Sequence, residues 1–173
     1  FLLLFVNEIP INVLSMVNKK IFHIDDSGVQ LKLCLKYFNE ADSSLVVEQF
    51  YGPQAVIEKW EANPNDLPWV IFSDYMMPGM TGAEFLSWIK RHPRYHIIPV
   101  IIISAEADTS TIQETKDLGA FAYLNKPIQI DKLKEALKLR EGFTLEYSEF
   151  QELDKAFFTA AIEQIELIRS LKN

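Results

Sequence analysis

The stretch Trp69-Val70-Ile71-Phe72-Ser73-Asp74 decides the fold. It is apolar without alternation and then ends abruptly in a carboxylate. A strand that reads this way is covered on both faces, as strands of parallel sheets are. The run Ile98–Ile103, nearly continuous and β-branched, repeats the pattern and ends in Ser104. Between the two, Thr81–His92 has helical spacing, with Phe85, Leu86, Trp88 and Ile89 apolar and Pro93 as its stop. Working outward, the same alternation continues on both sides. Upstream stand a strand at Ile21–Ile24, a helix at Ser27–Glu40, a strand at Leu45–Phe50 and a helix at Gly52–Ala62. Downstream stand a helix at Thr109–Leu118 with Gly119 as its C-terminal stop, a strand at Ala120–Leu124 and a helix at Ile128–Leu139. Five βα units with short connections predict an α/β fold: a doubly wound, five-stranded parallel sheet with helices on both faces. Right-handed crossovers then force the chain to change faces once, and ligands bind outside the strand ends at that switch.

Polar residues stand where that rule puts a site. The first strand runs into Asp25 and Asp26, the third into Asp74, the fourth into Ser104, and the fifth into Asn125, Lys126 and Pro127. Three carboxylates near one point repel each other and call for a hard cation; oxygen ligands in this number suit Mg²⁺. A lysine and a hydroxyl opposite them complete a pocket for a phosphoryl group, held by the cation, Lys126, Ser104 and a backbone N–H. One carboxylate can itself be the covalent carrier of phosphate. Each residue alone has a plainer reading: Asp25 or Ser27 can cap the first helix, and Ser104 can cap a turn. Convergence of all five on one sheet edge is what favours a site.

Composition narrows the classes. The 173 residues are 49 % hydrophobic and 24 % charged, as in an ordinary globular domain. A chain of this length buries about 70 % of its unfolded surface and needs no staples. The single cysteine, Cys34, excludes an internal disulfide, and its place on the apolar face of the first helix reads as core. A net charge of -7 disfavours phosphate-neutralising contacts with nucleic acid. His23, His92 and His96 form no metal-ligand spacing, and His92 reads as a helix-end residue. Trp60, Trp69 and Trp88 make no stacking platform by spacing. Met76, Met77 and Met80 read as packing residues.

Both ends extend beyond the alternation. Residues 1–18 form an apolar extension, expected to be helical, whose longest uninterrupted run is far below the ~20 residues that span a bilayer. Residues 141–173 form a C-terminal helical extension. There Ser148 and Gln151 can make a capping box, and Phe150, Leu153, Phe157, Ala161, Ile165, Ile168 and Leu171 share one face. Packing on its own domain, on residues 1–17 or on a second subunit are all open for that stripe. Residues 19–140 make the central domain.

The central segment closely resembles the receiver domain of two-component response regulators. The residues that carry the resemblance are the pair Asp25–Asp26, the motif Ser73-Asp74-Tyr75-Met76-Met77-Pro78-Gly79-Met80-Thr81-Gly82, Ser104 followed by the small Ala105, and Lys126–Pro127. Any one of these is weak; four in order at the family's spacing are specific. The resemblance implies a flavodoxin-like (βα)5 fold with strand order 2-1-3-4-5. It implies that Asp74 accepts a phosphoryl group from a histidine kinase or a histidine phosphotransfer protein. It further implies that Asp25, Asp26, Asp74 and the backbone carbonyl of Met76 arrange Mg²⁺. Lys126, Ser104 and the backbone of Ala105 then bind the phosphoryl group. Ser104 and Tyr123 act as the switch, and Pro127 has a structural role. Such a protein is no enzyme in the usual sense; it catalyses its own Mg²⁺-dependent aspartyl phosphorylation and slow dephosphorylation, and its expected location is cytoplasmic. No nucleic acid and no small-molecule cofactor besides the metal are expected.

Three rivals are weighed against this. A haloacid-dehalogenase-type phosphatase needs a second acid two residues after the nucleophile, where this chain has Met76. A flavodoxin-like flavin binder wants an uncharged phosphate loop where this chain has Asp25-Asp26-Ser27-Gly28. A receiver-like interaction scaffold that is never phosphorylated is the remaining alternative. Output is expected through the face of the fourth helix, fifth strand and fifth helix, roughly residues 108–139, or through a homodimer made by that face or by the C-terminal helix.

Overall fold

The computed structural model describes residues 19–106 and 108–142. The apolar lead-in and the C-terminal capping box and stripe expected from the sequence lie outside the described residues. Elements alternate as β1 (Lys20–Ile24), α1 (Gly28–Ala41), β2 (Val46–Phe50), α2 (Pro53–Ala62), β3 (Val70–Asp74), α3 (Gly82–Arg91), β4 (Val100–Ser104), α4 (Thr109–Asp117) and β5 (Ala122–Asn125). The chain divides into two compact units between Ala136 and Leu137. Residues 130–136, at the end of the first unit, are helical, and so are residues 137–142 at the start of the second. No described helix is long and apolar enough to cross a membrane.

The five strands form one parallel sheet in the order β2-β1-β3-β4-β5. The sheet is the doubly wound one expected from the sequence, and its order is the one that the receiver-domain resemblance implies. β3 and β4 are buried along their whole lengths. Alternate residues of a strand face opposite sides of the sheet, and the packing follows that parity. Phe22, Ile24, Ile71, Val100 and Ile102 join Val56 and Trp60 of α2 and Phe85, Leu86 and Ile89 of α3 in one core. On the other parity, the His23 ring meets Phe38 of α1 edge-on, and Phe38 packs on Phe72. Helices therefore cover both faces, and the chain changes sides between β1 and its two neighbours, β2 and β3.

Local chemistry fixes the element ends. Ser27 caps α1 by accepting from the Gln30 N–H. Thr81 and Glu84 form a reciprocal capping box at α3. α4 ends in Gly119, at φ +92, where the Gly119 N–H donates to Lys116 O and the Ala120 N–H to Thr115 O. That six-to-one pairing is the Schellman arrangement. It draws Ala120 into the helix end, so β5 starts at Ala122, later than its sequence suggests. β4 likewise starts at Val100, because the Ile98 N–H closes a turn on Tyr95 O and Pro99 has no N–H to give.

One sequence reading is corrected by the structure. Met77 and Met80 do pack, but Met76 is 59 % exposed. Within the core, Trp60 stacks on Tyr95 at 4.1 Å and on Trp88 at 6.2 Å, and Tyr95 stacks on His92 at 4.1 Å. These rings come from α2, α3 and the segment after it, so no spacing in one stretch reveals them.

Candidate functional site

Sheet register alone brings the polar strand ends together. Ile24 pairs with Ser73, so Asp25 lies level with Asp74. Asp74 pairs with Ile103, so Ser104 follows one step beyond, and Ser104 pairs with Asn125, which precedes Lys126. The site therefore sits outside the C-terminal ends of β1, β3, β4 and β5, at the switch of faces.

Carboxylate oxygens of Asp25, Asp26 and Asp74 all lie within 4.8 Å of one another. Asp25 and Asp74 are buried, while Asp26 is exposed. Lys126 Nζ reaches both buried acids, 2.8 Å from Asp25 Oδ2 and 2.8 Å from Asp74 Oδ1. The Lys126 N–H also donates to Ser104 O at 2.7 Å, which seats the lysine beside the hydroxyl residue. The Lys126–Pro127 peptide is cis. Burial pushes the Asp74 carboxyl above the usual carboxylate range, against the pull of Lys126. Burial also opposes the Lys126 charge, but its hydrogen bonds to Asp25 and Asp74 outweigh that, and its pKa is raised.

The plainer roles coexist with this cluster. Asp25 Oδ1 accepts from the Ser27 N–H at 2.9 Å, so one oxygen orders the loop into α1 while the other meets Lys126. Ser104 Oγ accepts from the Glu106 N–H at 2.9 Å and is itself buried. Ala105 is exposed beside it. Tyr123 is half-buried and its hydroxyl donates to the Glu106 carbonyl.

The donor set is all oxygen, clustered, and part-open through Asp26. It fits a hard divalent cation such as Mg²⁺, which takes one or two carboxylates and keeps waters or phosphate oxygens. Two further titratable groups, His23 and Cys34, are buried. His23 is fully buried and burial lowers its pKa to about 4. Gln49 Nε2 spends one hydrogen on Leu31 O and offers the other to His23 Nδ1, which leaves the ring proton on Nε2. Burial pushes the Cys34 thiol up to about 11.

Two residues matter more than the sequence reveals. Gly82 lies where an added Cβ would meet Asp74 O at 2.2 Å. Tyr75, next to Asp74, donates its hydroxyl to Glu114 Oε2 on α4 at 2.7 Å. Glu114 pushes the Tyr75 phenol up to about 12, so it stays a donor. The glycine was legible only as part of the motif, and the tyrosine's partner is 39 positions away on another helix.

A doubly wound α/β domain with an acidic cluster and a lysine at its switch point is the CheY-like receiver architecture. The chain belongs to the response regulator receiver domain family, which it matches over residues 21–138. It is 31 % identical over 124 residues to the sporulation initiation phosphotransferase F of Bacillus subtilis, covering 71 % of this chain and 94 % of that protein. It is 42 % identical over 96 residues to the DNA-binding transcriptional regulator NtrC of Escherichia coli K12, covering 55 % of this chain but only 19 % of NtrC. Among solved structures, the chemotaxis protein CheY4 of Vibrio cholerae superposes with a TM-score of 0.60 at 27 % identity, covering 69 % of this chain and 95 % of that one. The chain thus carries a receiver domain of the two-component response regulator type.

Proposed function

We propose that Asp74 accepts a phosphoryl group from a phosphohistidine donor, a histidine kinase or a histidine phosphotransfer protein. The observation that carries this is a buried carboxylate at the switch point, paired with one lysine and clustered with two further acids. An Asp74 oxygen attacks phosphorus, the P–N bond to the donor breaks, and an acyl phosphate forms. Mg²⁺, held by Asp25, Asp26, Asp74 and the Met76 carbonyl, supplies positive charge to the phosphoryl oxygens when bound. Lys126 gives up its contact with Asp74 and pairs with a phosphoryl oxygen. Ser104 Oγ and the Ala105 N–H meet another. Tyr123, whose hydroxyl donates to the Glu106 carbonyl, follows Ser104 and passes its movement to α4 and β5. Val29, Tyr51 and Met76, exposed apolar residues that follow the ends of β1, β2 and β3, offer the donor a landing surface beside the pocket.

Intact mass after incubation with Mg²⁺ and acetyl phosphate tests the reading. The wild type gains one phosphoryl group, hydroxylamine removes it, and Asp74→Asn gains none. If neither acetyl phosphate nor beryllofluoride engages the wild type, the unphosphorylated scaffold reading takes its place.

A further inference from the structure

We propose that the Tyr75–Glu114 hydrogen bond is a strut that holds α4 in its unphosphorylated position, and that phosphorylation must release it. The inference rests on the phosphoacceptor reading of Asp74 and adds the element that resists the switch.

Helix α4 is poorly anchored by burial. Its sequence is TSTIQETKD, and Thr115 is its buried residue, whereas α1 and α2 bury three residues each and α3 buries five. Leu118, just past its end, packs partly against the core. An element with so little apolar contact is easily shifted, and polar ties then decide where it rests. The Tyr75 hydroxyl supplies such a tie, at 2.7 Å from Glu114 Oε2. The base of the tie is rigid. The Tyr75 N–H donates to Ile103 O at 2.9 Å, and Tyr75 O accepts from the Gly82 N–H at 2.8 Å. Tyr75 is therefore fixed to β4 and α3, one peptide bond from Asp74.

The opposite end of α4 is tied to the other side of the site. Ser104 Oγ accepts from the Glu106 N–H, and Glu106 lies in the connection that leads to Asp108, the N-cap of α4. A movement of Ser104 toward Asp74 pulls that connection, while Tyr75 holds Glu114 back. A contact made in one state and lost in the other biases the equilibrium between them, and by linkage it lowers affinity for whatever favours the second state.

The test is beryllofluoride affinity in the presence of Mg²⁺, read by tryptophan fluorescence, on the full chain. Tyr75→Phe keeps the ring and removes the hydroxyl; Glu114→Ala removes the acceptor from a solvent-exposed position. Each is expected to tighten binding by about three- to tenfold, the scale of one hydrogen bond's net contribution. The double variant is expected to bind no tighter than either single one. Glu114→Gln, which keeps an acceptor oxygen, is expected to stay near wild type. A purely structural bond would lower thermal stability and leave affinity unchanged; that result in a folded variant, or additive effects in the double variant, overturns the proposal. Should Tyr75→Phe fail to fold, Glu114→Ala carries the same test. A wild type that binds no analogue overturns the phosphoacceptor reading itself, and the strut with it.

Discussion

Gly82 shows how tightly one position is constrained by the neighbour it must touch. Its N–H donates to Tyr75 O, and an added Cβ would meet Asp74 O at 2.2 Å and Tyr75 Cα at 2.9 Å. Both contacts are backbone, so a side chain there cannot be relieved by a rotamer change. Gly82→Ala is expected to destabilise the fold by about 1–3 kcal/mol, the usual size of an overpacking strain. Gly52 is the control: its backbone is extended and nothing lies within 4 Å of an added Cβ. Gly52→Ala should stay within about 0.5 kcal/mol of wild type. Chemical denaturation of the two variants side by side decides the point, and equal losses would contradict it. His23 makes the complementary case. Its side chain reads as a polar exception in a strand, yet it is buried and neutral against Phe38 and Gln49. Nothing in the local sequence says that Gln49, on the neighbouring strand β2, supplies its partner.

The strands and helices were legible because each one obeys a local rule. β3 and β4 show continuous burial, α3 shows its capping box, and α4 shows its glycine stop. Element ends shifted by one or two residues where backbone hydrogen bonds belong to a neighbour, as Ala120 belongs to the end of α4. Contacts between elements were not legible: the Trp60–Tyr95–His92 stack and the Tyr75–Glu114 bond join residues that only the tertiary fold brings together. The acidic site was legible because parallel register puts strand ends side by side. Lys126 pairing with two of its acids is the part that the fold adds. Thr81→Ala removes the oxygen that accepts from the Glu84 N–H, and is expected to cost about 0.5–2 kcal/mol by chemical denaturation. Asp108 caps α4, and hydrogen bonds from the Ser110 hydroxyl and the Thr111 N–H and hydroxyl hold its pKa at about 2. A carboxyl depressed on folding stabilises above its unfolded pKa, near 3.9. That contribution is lost as pH falls toward about 2. Carboxyl titration by NMR should find Asp108 ionised at pH 3, and amide exchange in α4 should quicken below that.

Charge is balanced at one end of the sheet and unbalanced at the other. Where β1 begins, Lys20 and Lys59 each pair with both Glu48 and Asp66, two cations against two anions at 2.6–2.9 Å. Beyond the end of β1, three carboxylates cluster, and Lys126 pairs with two of them. Like charges sharing a buried site raise the free energy of the folded state, so the end that holds the candidate site is also the destabilised end. Removing one of those charges should therefore make the molecule more stable while ending the proposed phosphorylation. Asp74→Asn leaves Lys126 its contact with Asp25 and relieves the repulsion, and is expected to gain about 0.5–2 kcal/mol in metal-free buffer. Mg²⁺ should relieve the same repulsion in the wild type, by about 2.7 kcal/mol at one hundred times its dissociation constant. Asp26 is the exposed acid of the cluster and has no ion pair with Lys126, so Asp26→Asn removes a candidate metal donor without breaking the ion pairs. In that variant most of the Mg²⁺ gain should vanish. Thermal melts of wild type, Asp74→Asn and Asp26→Asn with and without Mg²⁺ separate the two effects. If Mg²⁺ stabilised Asp26→Asn as much as wild type, the cation would be bound elsewhere, and the surplus of carboxylates would need another explanation.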